Sequence, residues 1–436
     1  MSLSPPESSQ AGDHHGVSGS PLTLCLSGGG FRATLFHLGV LRRLNELGVL
    51  ATIGVVSSVS GGSILNGVLA SRWQTLEPDS SGVFANCDER IGNSVREFCG
   101  HDLRTKLLIG ARMNPRNWLM LIRNYGAVAG NLLATGYQEL LGGVKLVDLP
   151  DSARGRAPRF IFCATNIQTG ACWGFHSGPG AKMGDFYSGY TPCGAVTLAD
   201  AVAASSAFPP GFGALSIEAP ASAFDRTDPW GQKRPLSKKR PPLSVGMHWL
   251  SDGGVYDNLG VEPVWETAGV LIVSDAGHPF ASTRDVRQWI VSRLARAVEI
   301  STAQVGALRR RWLVDQFRRG QRLGVLWTMG TPIEDFPGVC VTGYGYPKRL
   351  LFEEIRTDLN GFSEGEIACL ENHGYSLADA AIRSRLHHLS GASSVPFRWP
   401  HQAFGNDCAI KRELKDSGRR SLFRDAYEYL TGERAR

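Results

Sequence analysis

Apolar residues gather first at Leu22-Thr23-Leu24-Cys25-Leu26, a short run that stops at Ser27-Gly28-Gly29-Gly30. Leu35, Leu38, Leu41, Leu44 and Leu47 then recur at helical spacing, and Gly48 supplies a C-terminal stop. A second β-branched run, Val55-Val56, passes through Ser57 to Gly62 into another helical set, Ile64, Leu65, Val68 and Leu69. Strand, glycine turn, helix and strand in that order form a parallel βαβ unit. The pattern predicts an α/β fold with three layers, α/β/α, around a mostly parallel central sheet.

Further along, Arg159 to Asn166 reads as a strand, Gln168-Thr169-Gly170 as a turn, and Cys172 to Phe175 as the returning arm of a hairpin. Leu198 to Ala204 is a helix of small residues, ending before Phe208-Pro209-Pro210-Gly211-Phe212. Trp249-Leu250-Ser251 runs into Asp252-Gly253-Gly254, and Val270 to Asp275 is another buried-strand signal. From about Val286 to Arg319 the spacing predicts a long amphipathic helix. Ile290, Leu294, Val298, Val305, Leu308 and Trp312 share one side of it, and arginines fill the other. Leu326 to Met329 fits a further strand and Leu377 to Leu386 a further helix.

Two stretches break the rhythm. Between His101 and Leu133, apolar residues and Trp118 alternate with Arg104, Lys106, Arg112, Arg116 and Arg123. This segment suits either a helical cap on the core or contact with an anionic interface. Residues 216–242 are rich in Pro, Lys and Arg (Lys233, Arg234, Lys238, Lys239, Arg240) and read as a mobile basic surface loop. The chain therefore divides into a disordered lead-in at 1–20, a core at 21–280 carrying the cap and the loop, and a mainly helical region at 281–436. That last region is packed on the core or regulates it.

Composition changes this picture little. Of 436 residues, 42% are hydrophobic and 20% charged, as in ordinary globular proteins. A net charge of +6 is too small to argue for nucleic acid. The lead-in lacks the basic and apolar regions of a signal peptide. No stretch approaches the roughly 20 apolar residues of a membrane span. Nine cysteines are scattered without C-x-x-C spacing, and Cys25 and Cys163 sit in apolar runs, so a reduced, cytoplasmic setting is expected. Nothing suggests a metal or a cofactor.

The candidate chemistry lies in three glycine-bearing turns, each after an apolar run: Gly28-Gly29-Gly30, Ser60-Gly61-Gly62 and Asp252-Gly253-Gly254. If those runs are parallel neighbours, their turns meet in one crevice at the carboxyl ends of the strands. Ser60 stands where a nucleophile elbow places its serine, with Gly62 two residues on and Ser58 where the pattern usually has glycine. A Ser hydroxyl needs a base to take its proton. Asp252 is the candidate, helped if burial raises its pKa. Consecutive glycine N–H groups at a helix N-terminus are ready-made oxyanion donors. His37 and His248 invite a Ser-His-Asp triad. However, His37 falls inside an apolar helix, and His248 lies on the strand that leads to Asp252.

These motifs together resemble the patatin-like phospholipases. The family's G-G-G-x-R-G loop is matched by Gly28-Gly29-Gly30-Phe31-Arg32-Ala33, its serine elbow by Ser58-Val59-Ser60-Gly61-Gly62, and its D-G-[GA] motif by Asp252-Gly253-Gly254. Thr34 to Leu41, Ala203 to Pro210 and Asp257-Asn258 also resemble family sequence, so the likeness extends over about Leu22 to Val273. Ala33 and Ser58 depart from the pattern but keep small side chains.

The resemblance implies a lipid acyl hydrolase of phospholipase A type. Ser60 attacks an ester carbonyl, Asp252 accepts its proton, and Gly28, Gly29, Gly30 and Arg32 form the oxyanion loop, in which Arg32 positions the glycines, meets a lipid phosphate or makes a structural salt bridge. Ser58, Gly62, Gly253 and Gly254 support the turns, and no metal is needed. The implied partners are a phospholipid or acyl-lipid substrate and a peripheral membrane surface, with a homo-oligomer or a regulatory ligand as further possibilities. Three other readings use the same residues. One is a nucleotide-phosphate loop, which the missing P-loop lysine disfavours. Another is a catalytically silent lipid-binding scaffold. The last is a phospholipase gated by ligand, membrane or partner.

Overall fold

The computed structural model describes residues 21–103, 105–106, 130–150, 157–209, 213–234, 246–280, 289–337, 342–345, 350–389, 395–415 and 417. The lead-in, most of the 101–133 segment (104 and 107–129), residues 235–242 of the basic loop and the chain from 418 onward lie outside them.

Ten strands form one sheet: β1 (Leu22–Leu26), β2 (Ile53–Val59), β3 (Arg159–Asn166), β4 (Ala171–His176), β5 (Lys182–Asp185), β6 (Gly189–Pro192), β7 (Leu215–Glu218), β8 (Met247–Asp252), β9 (Val270–Asp275) and β10 (Leu323–Thr328). The order β10-β9-β1-β2-β3 is parallel throughout. β1 is buried at all five positions, which is why its sequence is apolar rather than alternating. Beyond β3 the sheet turns antiparallel through β4, β5 and β6, while β8 pairs with both β3 and β7. The fold is thus a mixed central sheet with a parallel core flanked by helices.

The helices that frame the core are α1 (Gly30–Glu46), α2 (Gly61–Arg72), α3 (Leu198–Ser206), α4 (Ile290–Arg318) and α5 (Glu364–Arg385). α1 ends where the sequence predicts, with Gly48 in the left-handed region at φ 70°. α3 starts on a capping box, Thr197 with Asp200. α5 packs so closely on α1 that a Cβ at Gly39 would lie 1.9 Å from the Glu371 carbonyl oxygen. It is buried from Gly365 to Ile382, acids included, and those acids are paired. Asp379 meets Arg43 at 2.7 Å, Glu371 meets Arg96 at 2.7 Å, and Glu366 meets Arg356 at 2.5 Å. The region beyond 280 therefore contributes a sheet strand and a core helix.

Two expectations change. The stretch 216–242 is not loop throughout: it begins inside β7, which pairs with β8 and buries Ile217 and, just before the stretch, Leu215. Arg234 is tied to Asp228 and Glu266, each at 2.8 Å. Two inward residues are too few to show as a period among prolines and lysines. The long helix starts at Ile290, and its orientation is unusual. An amphipathic helix ordinarily turns its apolar stripe to the core. In α4 Arg310 pairs with Asp275 at the end of β9 (2.9 Å) and Arg309 with Glu262 (2.9 Å), whereas the apolar stripe is exposed. Among the described residues no helix is long and apolar enough to cross a membrane.

Candidate active site

β2 ends at Val59 and α2 begins at Gly61, so Ser60 alone makes the turn, at φ 50° and ψ −117°. It is the one non-glycine residue with positive φ among the described residues. Such a backbone costs about 1–3 kcal/mol and must be held by its surroundings. The Ser60 N–H donates to Ser205 Oγ at 3.0 Å, and that hydroxyl donates to the Cys163 carbonyl at 2.6 Å. Ser63 links Ser205 (2.8 Å) to Ser58 (2.9 Å). Ser58 donates to the Ile161 carbonyl at 3.1 Å and accepts Asn66 Nδ2 at 2.9 Å. The serine that replaces the usual glycine is thus part of a buried polar chain beneath the elbow.

Asp252 arrives from an unexpected direction. The turns were expected to converge as ends of parallel neighbours, but β8 is antiparallel to β3. Along one edge of β3, Cys163 pairs with Val59, the last residue of β2, and Ala164 pairs with Asp252, the last residue of β8. Consecutive residues of β3 therefore set the base beside the elbow. Gly253 fits because a Cβ there would lie 2.3 Å from the Cys163 carbonyl oxygen.

The Asp252 carboxyl is 2% exposed, and burial raises its pKa to about 6. Hydrogen bonds from the Ser60 hydroxyl and the Gly254 N–H (2.7 Å to Oδ1) pull the other way. The Asp252 N–H donates to the Ala207 carbonyl at 3.0 Å, and Thr165 Oγ1 donates to the Asp252 carbonyl at 2.8 Å.

The glycine loop joins β1 to α1. Gly28 donates its N–H to the Asn258 carbonyl at 3.2 Å, and a Cβ there would stand 3.0 Å from Ser60 Cβ. Gly29 and Gly30 take φ of 144° and 59°, and their N–H groups meet no protein acceptor among the described residues. Gly30 is the first residue of α1, where unpaired N–H groups and the helix dipole favour negative charge. Gly62, in the first turn of α2, abuts the Leu26 carbonyl and so keeps the two turns together.

Arg32 lies behind the glycine loop, where the bonds it makes suit the positioning role. It is fully buried, and its guanidinium donates to the carbonyls of Ala276 (2.7 Å), Ile355 (3.0 Å) and Glu353 (3.4 Å). Burial lowers its pKa to about 10. It is a strut between the glycine loop, the end of β9 and the C-terminal region. His37 is buried too. Its Nε2 donates to the Ser27 carbonyl and Nδ1 accepts from Ser274 Oγ, both at 3.0 Å, and burial holds its pKa near 4. His248 sits between Trp173 and Phe224, with ring centroids 4.9 and 5.0 Å away, facing Ile217 across the β7–β8 pair. Neither histidine joins Ser60 to Asp252.

Two residues from the family-like stretches also shape the site. Ser205 holds the elbow as described. The Asn258 amide occupies a slot walled by glycines: Cβ atoms at Gly28, Gly254 and Gly277 would lie 2.4, 2.7 and 2.8 Å from it. Three glycines around one carboxamide were the available signal. Neighbouring Asp257 caps the following turn through the N–H groups of Leu259, Val261 and Glu262. Among the described residues no group of three His, Cys, Asp or Glu side chains is gathered for a metal.

Residues 24–265 match the family described as patatin-like phospholipase. Among solved structures, human GIVD cytosolic phospholipase A2 is 14% identical over 92% of this chain and 60% of its own, with a TM-score of 0.43. Its complex with methyl gamma-linolenyl fluorophosphonate has the same identity and coverage and a TM-score of 0.46. VipD from Legionella pneumophila is 15% identical over 84% of this chain and 66% of its own, with a TM-score of 0.33. This chain thus spans 60% of the length of the human enzyme. No curated protein matches it in sequence.

Proposed function

The chain belongs to the patatin-like phospholipase family, a family of lipid acyl hydrolases, and on that premise we propose that it cleaves carboxylic esters of phospholipids through a Ser60–Asp252 dyad. One observation carries this reading: successive residues of β3 bring the Ser60 elbow beside the buried Asp252 carboxyl, whose pKa burial raises to about 6. A base poised close to neutral pH takes a proton far better than an exposed aspartate near 3.9.

In this mechanism Ser60 Oγ attacks the ester carbonyl carbon as its proton passes to Asp252. The tetrahedral oxyanion is received by the N–H groups of Gly29 and Gly30, each donor of this kind being worth about 2.7–4 kcal/mol. Collapse breaks the bond to the alcohol oxygen, which leaves with the proton from Asp252, and the acyl group stays on Ser60. Water then attacks the acyl-serine, Asp252 accepts its proton, and the fatty acid departs as Ser60 regains its hydrogen. Arg32 and Asn258 hold the loop and touch no reacting atom. The lipid is taken from a membrane surface, as an ester with long acyl chains requires.

The test is labelling with a fluorophosphonate serine probe, the adduct located by peptide mass spectrometry, beside fatty-acid release from mixed phospholipid vesicles. An adduct on Ser60, with release lost in Ser60→Ala and Asp252→Asn, is the expected result. Labelling of another serine, or full release by Ser60→Ala, overturns the dyad.

A further inference from the structure

The exposed stripe of α4 has an order that solvent does not require. Leu294, Val298, Ser301, Val305, Leu308 and Trp312 follow one another at spacings of four, three, four, three and four, with Ile290 one turn before them. This is a heptad seam, a narrower apolar line than a helix turns toward a globular core or a lipid surface. Its length is ~33 Å at about 1.5 Å per residue. The apolar side chains of the seam are 42–68% exposed. They offer on the order of 600–700 Å² per copy, near the roughly 800 Å² that a stable interface takes from each partner.

The seam is also self-complementary. Turned end for end about Ser301, it lays Ile290 on Trp312, Leu294 on Leu308 and Val298 beside Val305. The positions flanking its centre, Ala297, Thr302 and Gln304, are uncharged. A parallel pairing would gather Arg309, Arg310 and Arg311 of both copies at one level. The reversed pairing parts them by ~25 Å, beyond the ~10 Å reach of charges in salt.

The placement of α4 leaves room for such a mate. From Arg309 onward it packs on the body: Arg309 on Glu262, Arg310 on Asp275, Trp312 on Trp265 at 4.1 Å, and Leu313 in the core. The turns before that run past the end of β9, touching Phe280 through Arg296. We propose that α4 pairs antiparallel with α4 of a second copy of this chain, making a two-fold dimer whose interface is the 290–312 seam. A two-fold interface must be self-complementary in this way. The inference is independent of the proposed chemistry.

The experiment is sedimentation velocity on the full chain at micromolar concentrations, with Leu294→Glu/Leu308→Glu as the variant. Both residues are exposed in the single chain, so the variant retains its fold, which circular dichroism checks. Wild type is expected at twice the 47.2 kDa chain mass and the variant at that mass. In a mixture, Leu294→Cys and Leu308→Cys chains cross-link to each other on oxidation, while neither does so alone. A monomeric wild type, or a dimer that survives both glutamates, overturns the proposal. If the monomer instead floats with phosphatidylglycerol vesicles and the variant does not, the seam binds lipid, with Trp289, Ile300 and Phe280 beside it. That result also overturns it.

Discussion

The Ser205 hydroxyl oxygen accepts the backbone N–H of Ser60 at 3.0 Å while donating its own proton to Cys163. A side chain on α3 therefore holds the one strained residue of the site. Ser205→Ala leaves a buried N–H and a buried carbonyl without partners. The expected cost is about 2 kcal/mol in chemical denaturation. The turn also relaxes, lowering kcat roughly 10- to 100-fold with KM little changed. A wild-type kcat in this variant would show that the elbow holds itself.

The raised pKa of Asp252 has two pH consequences of opposite sign. Activity needs the carboxylate, so kcat/KM rises with pH through about 6. Stability runs the other way. Between the ordinary aspartate value of 3.8 and about 6 the folded protein holds a proton that the unfolded chain has released, so folding weakens as pH rises across that window. The loss is on the order of 2–3 kcal/mol. Asp252→Asn removes it. Denaturation of variant and wild type from pH 4 to pH 7.5 should give curves that diverge up to about pH 6 and stay parallel above it. Curves parallel throughout would mean that the carboxyl is not raised.

Arg32→Lys keeps the charge but cannot reach carbonyls of Ala276 and Ile355 together. Both stability and activity should fall, stability by about 3 kcal/mol. The ratio of rates on anionic and neutral lipid esters should stay as in wild type. If that ratio shifts while the melting temperature holds, Arg32 meets the lipid phosphate after all.

Asn258→Ala empties the slot between Gly28, Gly254 and Gly277. The glycine loop keeps its backbone bonds but loses the filler that sets its spacing. A fall in kcat of roughly 10-fold is expected. Asn258→Asp should be worse, because a carboxylate there opposes charge developing at the oxyanion. Stopped-flow release of a chromogenic acyl ester separates the two. Equal rates in all three proteins would remove Asn258 from the site.

The sequence made some of this legible and concealed the rest for physical reasons. Strands β1, β2, β3 and β9 stood out because a strand covered on both faces reads as a mostly apolar run. The turns at Gly28, Ser60 and Asp252 stood out because few residues tolerate such backbones. The direction of β8 did not, since a strand's sequence has no sense of up or down. Most of α5 was missed because it is buried all round: Glu366, Glu371 and Asp379 interrupt any apolar period, and the partners of the last two, Arg96 and Arg43, lie far away in sequence. α4 deceived in the opposite way, its stripe turned to solvent and Arg309 and Arg310 to the body.

Val59 and Asp252 occupy successive rungs on the same edge of β3, through Cys163 and Ala164. Separation across a pleat comes in whole residues, and a slip by one inverts every side chain. The meeting of serine and aspartate is therefore digital: β3 holds them in step or throws them to opposite faces, with no gradual detuning between. The excursion from Ile167 to Gly246 leaves β3 and comes back to it as β8, so its outer strands are free to lengthen or shrink while that step stays fixed.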